Sequence, residues 1–179
     1  MQFKHYPQFF TATILEWKHL LQNDKYKQVI INSLKYLVDD NRVTVYAFVI
    51  MPNHIHLIWQ IHDSHAQHKV QQSFMKFTAQ QIKFDLMTNN TKLLEEFKVN
   101  AADREYQIWE RNPLSIDLFT EPVFKQKLNY IHENPVQEKW KLALYPEDYM
   151  WSSAKFYYSS KSDYSFLRHY ADGSGEQAR

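Results

Sequence analysis

The sequence predicts an α+β fold in which two helices cover one face of an antiparallel sheet, and three observations carry that expectation. Two β-type runs, residues 43–51 and 54–61, are joined through only Pro52-Asn53. Segments following Asp24 and Ser73 repeat apolar residues at three- and four-residue steps, the period of a helix with one buried face. The segments follow one another as β-α-β-β-α-β, then a further helix, which is the order of a ferredoxin-like split βαβ.

The first strand is expected within residues 8–17, an extended run of aromatic and β-branched residues. Asp24 reads as an N-cap, after which Tyr26, Val29, Ile30, Leu34, Leu37 and Val38 mark the buried stripe of the first helix. The hairpin of 43–51 and 54–61 turns without glycine. Residues 62–68 are polar and read as a loop. His62, His65 and His68 fall there at helical spacing, but only Asp63 accompanies them, so no second metal site is assigned. Phe74, Phe77, Ile82 and Leu86 define a second helix over 73–87, ended by Asn89 and Asn90. Residues 104–109 are expected to form the fourth, edge strand. A third helix starts at Thr120 or Glu121, with Pro122 in its first turn.

Composition narrows the function. The chain has 179 residues, 44% hydrophobic and 23% charged, which fits one domain with an extension rather than two domains. Residues 1–144 are expected to form that domain and 145–179 a C-terminal extension, with 173–179 as a disordered tail. Zero cysteines exclude disulfides and thiolate metal sites. Both glycines lie in the last seven residues, which excludes phosphate loops that need glycine. No apolar run approaches a membrane span and no signal peptide is evident, so a cytoplasmic protein is expected. A net charge of +1 leaves room only for a local basic patch. Its candidates are Lys76 and Lys83 on the second helix, Lys125 and Lys127 on the third, and Lys139 and Lys141 beyond it.

The most informative stretch is Val49-Ile50-Met51-Pro52-Asn53-His54-Ile55-His56-Leu57. On a strand, His54 and His56 point to one face about 6.6 Å apart, while Ile55, Leu57, Trp59 and Ile61 point into the core. One face is thus core and the other a working surface, over which the third helix is free to lie. A His-x-His pair is weak by itself in a chain with nine histidines. The third helix supplies the complement. At about 100° per residue, Tyr130 and Asn134 share a face with Val123 and Lys127, while Phe124, Leu128 and Ile131 form the apolar stripe and His132 points nearly opposite. An amide oxygen of Asn134 would complete a site of two imidazoles and one oxygen, suited to Mn²⁺ and adequate for Mg²⁺. Because Pro135 follows, Asn134 is expected at a frayed helix end. Tyr130 beside such a site would act as the nucleophile on a DNA phosphodiester, with a cation such as Lys127 favouring its phenolate.

These residues, with Tyr130-Ile131-His132-Glu133-Asn134-Pro135-Val136 and the later Tyr145-Pro146-Glu147-Asp148-Tyr149-Met150-Trp151-Ser152-Ser153-Ala154, resemble the single-tyrosine HUH transposases, especially the REP-associated tyrosine transposase branch. The likeness runs from Phe9 to Tyr158. It implies a ferredoxin-like catalytic domain, a Mg²⁺ or Mn²⁺ ion, and cleavage of single-stranded DNA through a 5′-phosphotyrosine intermediate that leaves a 3′-OH. By position, it implies His54, His56 and Asn134 as metal ligands and Tyr130 as nucleophile. It also implies recognition of imperfect DNA hairpins and their single-stranded flanks. Related transposases work as dimers that exchange catalytic helices, whereas this branch is expected to act as a monomer. One departure stands out: Gln137-Glu138-Lys139 replaces the Arg-Ala-Gly that often follows in the family, removing a positive charge near the helix end.

Other readings are a domesticated hairpin-binding protein that no longer transposes, an RNA-binding module on the same fold, and a cupin-like metal oxygenase. Two histidines are a poor stacking pair for RNA, and a cupin barrel would need many more glycines.

Overall fold

The structure is a computed structural model that describes residues 4–173. In chain order its elements are β1 (Gln8–Thr13), α1 (Asp24–Asp39), β2 (Val43–Ile50), β3 (His54–Ile61), α2 (Gln67–Asn89), α3 (Thr91–Glu95), β4 (Lys98–Ala101), β5 (Arg104–Tyr106), β6 (Leu114–Asp117), α4 (Glu121–Glu133) and α5 (Ala154–Ser159), joined by short 3-10 turns. Four strands form one antiparallel sheet in the order β2-β3-β1-β6, the arrangement the element order predicted.

α1 and α2 pack together on one face. There Phe10, Trp59 and Phe74 interlock, with ring centroids 5.1 Å (Phe10 to Trp59) and 5.5 Å (Trp59 to Phe74) apart. α4 lies across the other face over β2 and β3 and buries Phe124, Leu128 and Ile131, as its periodicity predicted. The working face of β3 is therefore covered rather than open, and both histidines are buried.

The C-terminal segment closes the outer edge of β2. Ile50 N–H donates to Trp151 O (2.9 Å), Ser153 N–H to Phe48 O (3.0 Å) and Arg168 N–H to Val45 O (3.0 Å). An edge strand covered in this way offers no template for intermolecular pairing.

Several expectations need correction. The fourth strand of the sheet is not 104–109: β5 pairs with β4 in a separate hairpin, and β6 forms the sheet edge beside β1. β6 carries little sequence signal because it is four residues long and its residues are mostly exposed. The cap of α1 is Asn23, whose side chain accepts from Lys25 N–H at 3.0 Å, and not Asp24. β1 stops at Thr13, and 15–17 turn in a 3-10 helix. α2 begins at Gln67 rather than Ser73, so the loop ends at Ala66. Its buried row is Val70, Phe74, Thr78, Ile82 and Leu86, four residues apart throughout, which drifts about 40° per step. Phe77 lies about 60° to the other side of Phe74 and is exposed. Of the expected tail, Gly173 ends a 3-10 turn (Tyr170–Gly173), and residues 174–179 lie outside the described residues.

Candidate active site

Strand register assembles the floor of the site. On β1, Thr11 stands opposite His56 and Thr13 opposite His54, so all four share the face that α4 covers. The two imidazole centroids are 4.7 Å apart. His54 Nδ1 bonds Asn53 Oδ1 at 2.7 Å. An amide oxygen only accepts, so His54 donates from Nδ1 and carries its lone pair on Nε2. Thr11 Oγ1 lies 2.7 Å from His56 Nδ1 and permits the same tautomer. A ring fixed at Nδ1 by an acceptor, with Nε2 free, is how protein-bound metal ions are commonly served.

Electrostatics keep both rings neutral, the form a metal ion requires. Burial pushes His54 down to about 4, helped by the charge of Lys139. Burial pushes His56 down to about 3, reinforced by His54, Lys127 and Lys139. His56 Nε2 is also buried without a hydrogen-bond partner among the described residues.

α4 brings the rest. Tyr130 is 45% exposed, and its ring lies 5.3 Å from that of His56 and 6.0 Å from Phe9. Asn134, one turn on, is 3% exposed, and its Oδ1 is the second buried atom here without a partner. It is not frayed. Although proline follows, Asn134 keeps helical angles (φ −57°, ψ −46°) and opens a 3-10 turn over Asn134–Val136. Buried acceptors left unpaired are costly, and a cation would relieve both. No group of three or more His, Cys, Asp or Glu able to hold a metal occurs among the described residues. A site here would therefore rest on two imidazoles and the Asn134 amide, and the orphaned atoms fit that set.

The lysines separate. Lys127 Nζ lies 4.7 Å from the Phe9 ring and 5.8 Å from that of Tyr130. Lys139 acts on both histidines through its charge. Lys125 pairs with Glu121 at 2.6 Å along α4, and Lys141 with Glu138 at 3.3 Å. Lys76 and Lys83 lie on α2 across the sheet, lining a cleft of about 1050 Å³ with Arg104 and Arg111.

Sequence reasoning missed Thr11, Asn53, Phe9 and two rings beside His54, Trp140 at 5.9 Å and Trp17 at 6.2 Å. Asn53 adjoins the histidines and could have been found as a turn residue with a free side chain. Thr11 and Phe9 carry no such signal, because only strand register places them.

A family profile described as "Transposase IS200 like" matches residues 7–100, which include His54 and His56 and stop short of α4. Among solved structures, the REP-associated tyrosine transposase bound to a REP hairpin superimposes with a TM-score of 0.64 at 16% identity, covering 94% of each chain. A protein provisionally assigned as a transposase from Deinococcus radiodurans R1 aligns with a TM-score of 0.47 at 14% identity, over 73% of this chain and 91% of its own. No curated protein matches the sequence significantly.

Proposed function

The chain belongs to the IS200-like transposase family, and from that premise we propose that it cleaves and rejoins single-stranded DNA at hairpin-flanked sites, in the manner of the REP-associated branch. The observation that carries the proposal is the half-exposed Tyr130 ring 5.3 Å from the buried ring of His56, whose Nε2 lacks a partner. A half-exposed phenol thus stands beside two buried imidazoles.

In this reading His54, His56 and Asn134 hold Mg²⁺ or Mn²⁺, which when bound supplies positive charge to the non-bridging oxygens of the phosphodiester. The Tyr130 oxygen attacks phosphorus. The Tyr130 O–P bond forms, the bond from phosphorus to the 3′ oxygen breaks, the phenol proton passes to solvent, and the 3′ oxygen takes up a proton to leave a 3′-OH. Attack by a second 3′-OH on the phosphotyrosine reverses the exchange and joins strands. Lys127, with its Nζ 5.8 Å from the Tyr130 ring, supplies positive charge for an incoming phosphate, as does Lys139 in this reading. The cleft that Lys76, Lys83 and Arg111 line, together with the Arg104–Asp103 ion pair and Glu110, offers a separate surface for duplex backbone. In this reading residues 1–144 act as the catalytic domain and 145–179 form an extension, of which Trp151, Ser153 and Arg168 brace the edge of β2. A monomer is the assembly we favour, and the packing of α4 on β2 and β3 of its own chain supports it.

The test is a covalent one. Purified protein with Mn²⁺ and labelled hairpins bearing single-stranded flanks should give an SDS-resistant adduct, and Tyr130→Phe should give none. An adduct retained by the variant would move the nucleophile elsewhere. Hairpin binding without any adduct would favour a domesticated binding protein.

A further inference from the structure

We propose that Trp17 is the stacking platform for one unpaired nucleobase beside the cut, an inference that rests on the DNA-cleaving reading above. The turn after β1 passes through two consecutive left-handed residues, Glu16 (φ 54°) and Trp17 (φ 57°). Residues with a Cβ avoid that region, and two in succession persist only where their surroundings hold them. Here Ile14 N–H donates to Asn53 O and Leu15 N–H to Ile108 O, both at 2.8 Å. Glu16 N–H donates to Glu110 Oε1 at 2.6 Å.

The outcome of that bend is the position of one ring. Trp17 is 61% exposed, whereas Trp59, Trp109 and Trp151 are buried. The Asn53 side chain donates from Nδ2 to Trp17 O at 3.3 Å while its Oδ1 bonds His54 Nδ1 at 2.7 Å. The Trp17 backbone and the His54 imidazole therefore share one mount, which holds the residue that carries the ring at a set place relative to the metal ligands. Tyr130 flanks the histidine pair by contacting His56, and Trp17 flanks it by contacting His54.

The surroundings select the occupant. Glu16 and Lys18, on either side of Trp17, are ion-paired with each other, so the ring does not sit in a continuous apolar patch that a protein partner would need. Lys127, whose Nζ lies 5.8 Å from the Tyr130 ring, provides for the phosphate. An aromatic face, a cation and a nucleophile around one histidine pair suit a single-stranded nucleotide.

Binding is best read in a Tyr130→Phe background, so that it does not depend on cleavage. The probes are a labelled hairpin with single-stranded flanks, the same hairpin without flanks, and flanked versions with one base removed at a time. Adding Trp17→Ala should weaken the flanked hairpin about 5- to 100-fold, leave the bare hairpin unchanged, and leave the melting temperature unchanged. Trp17→Phe should restore most of the loss. At one flank position, base removal should weaken the parent by a similar factor and cost Trp17→Ala nothing further. Equal losses on flanked and bare hairpins, or base-removal penalties that persist in full in Trp17→Ala, would overturn the proposal. So would self-association of the parent that Trp17→Ala abolishes. A wild-type protein that forms no adduct while this coupling is observed would sink the cleavage reading and uphold the stacking one.

Discussion

His56 shows how much the site demands of single residues. It and His54 are neutral because they are buried, and His132 on the back of α4 is likewise pushed down to about 4. Unfolded, each would titrate near 6.5, so below that pH the unfolded chain binds protons that the folded chain refuses. Stability is then fully present above about 6.5 and falls as pH drops towards 4, by about 1.4 kcal/mol per pH unit for each histidine. Urea unfolding at pH 7.5, 5.5 and 4.5 without divalent ions should show this decline, and a flat profile would contradict the burial argument. The same residues should answer to metal. Mn²⁺ at a hundredfold excess over its dissociation constant stabilises a folded site by about 2.7 kcal/mol. A rise in melting temperature on adding Mn²⁺ is expected for the parent and should disappear in His56→Ala and Asn134→Ala.

Among the elements, α4 decides whether there is a site at all, since it carries Tyr130 and leads directly into Asn134. Its apolar stripe was legible because Phe124, Leu128 and Ile131 keep helical spacing. The bracket on its other side was not. His132 Nε2 meets Ser153 Oγ at 2.9 Å, and the same hydroxyl accepts from Phe48 N–H at 3.0 Å. One serine thus joins α4, β2 and the C-terminal segment, through contacts 21 and 105 residues apart in sequence. No local pattern encodes such a junction. Ser153→Ala leaves two buried polar groups without their partner and should cost roughly 2 kcal/mol in urea unfolding, with a value near zero showing that water takes the serine's place. α2 teaches the reverse lesson: its existence was plain, but the buried Thr78, which accepts from Trp109 Nε1 at 3.0 Å, was hidden by its polar identity.

Across the whole molecule, the split βαβ was readable because each helix and each core strand announces its period, while the edges were not, because edges are defined by what lies beside them. β6 is short and exposed, and β2 is covered from far along the chain. Deleting residues 150–179 should uncover β2 and the buried Phe48, giving aggregates by size-exclusion chromatography where the full chain runs as one species; a well-behaved truncated protein would show that the sheet tolerates an open edge. The turns carry a different consequence. No glycine precedes Gly173, yet Glu16, Trp17, Asn41, Asn112, Lys141 and Ser160 adopt left-handed backbone. A chain without glycine is stiffer when denatured and loses less freedom on folding. Asn41→Gly would relax the folded turn and loosen the denatured chain by comparable amounts, each under about 1 kcal/mol, and stability should hardly move. Restriction in the denatured ensemble and strain in the native turns thus oppose each other, so a protein with strained bends need not be fragile.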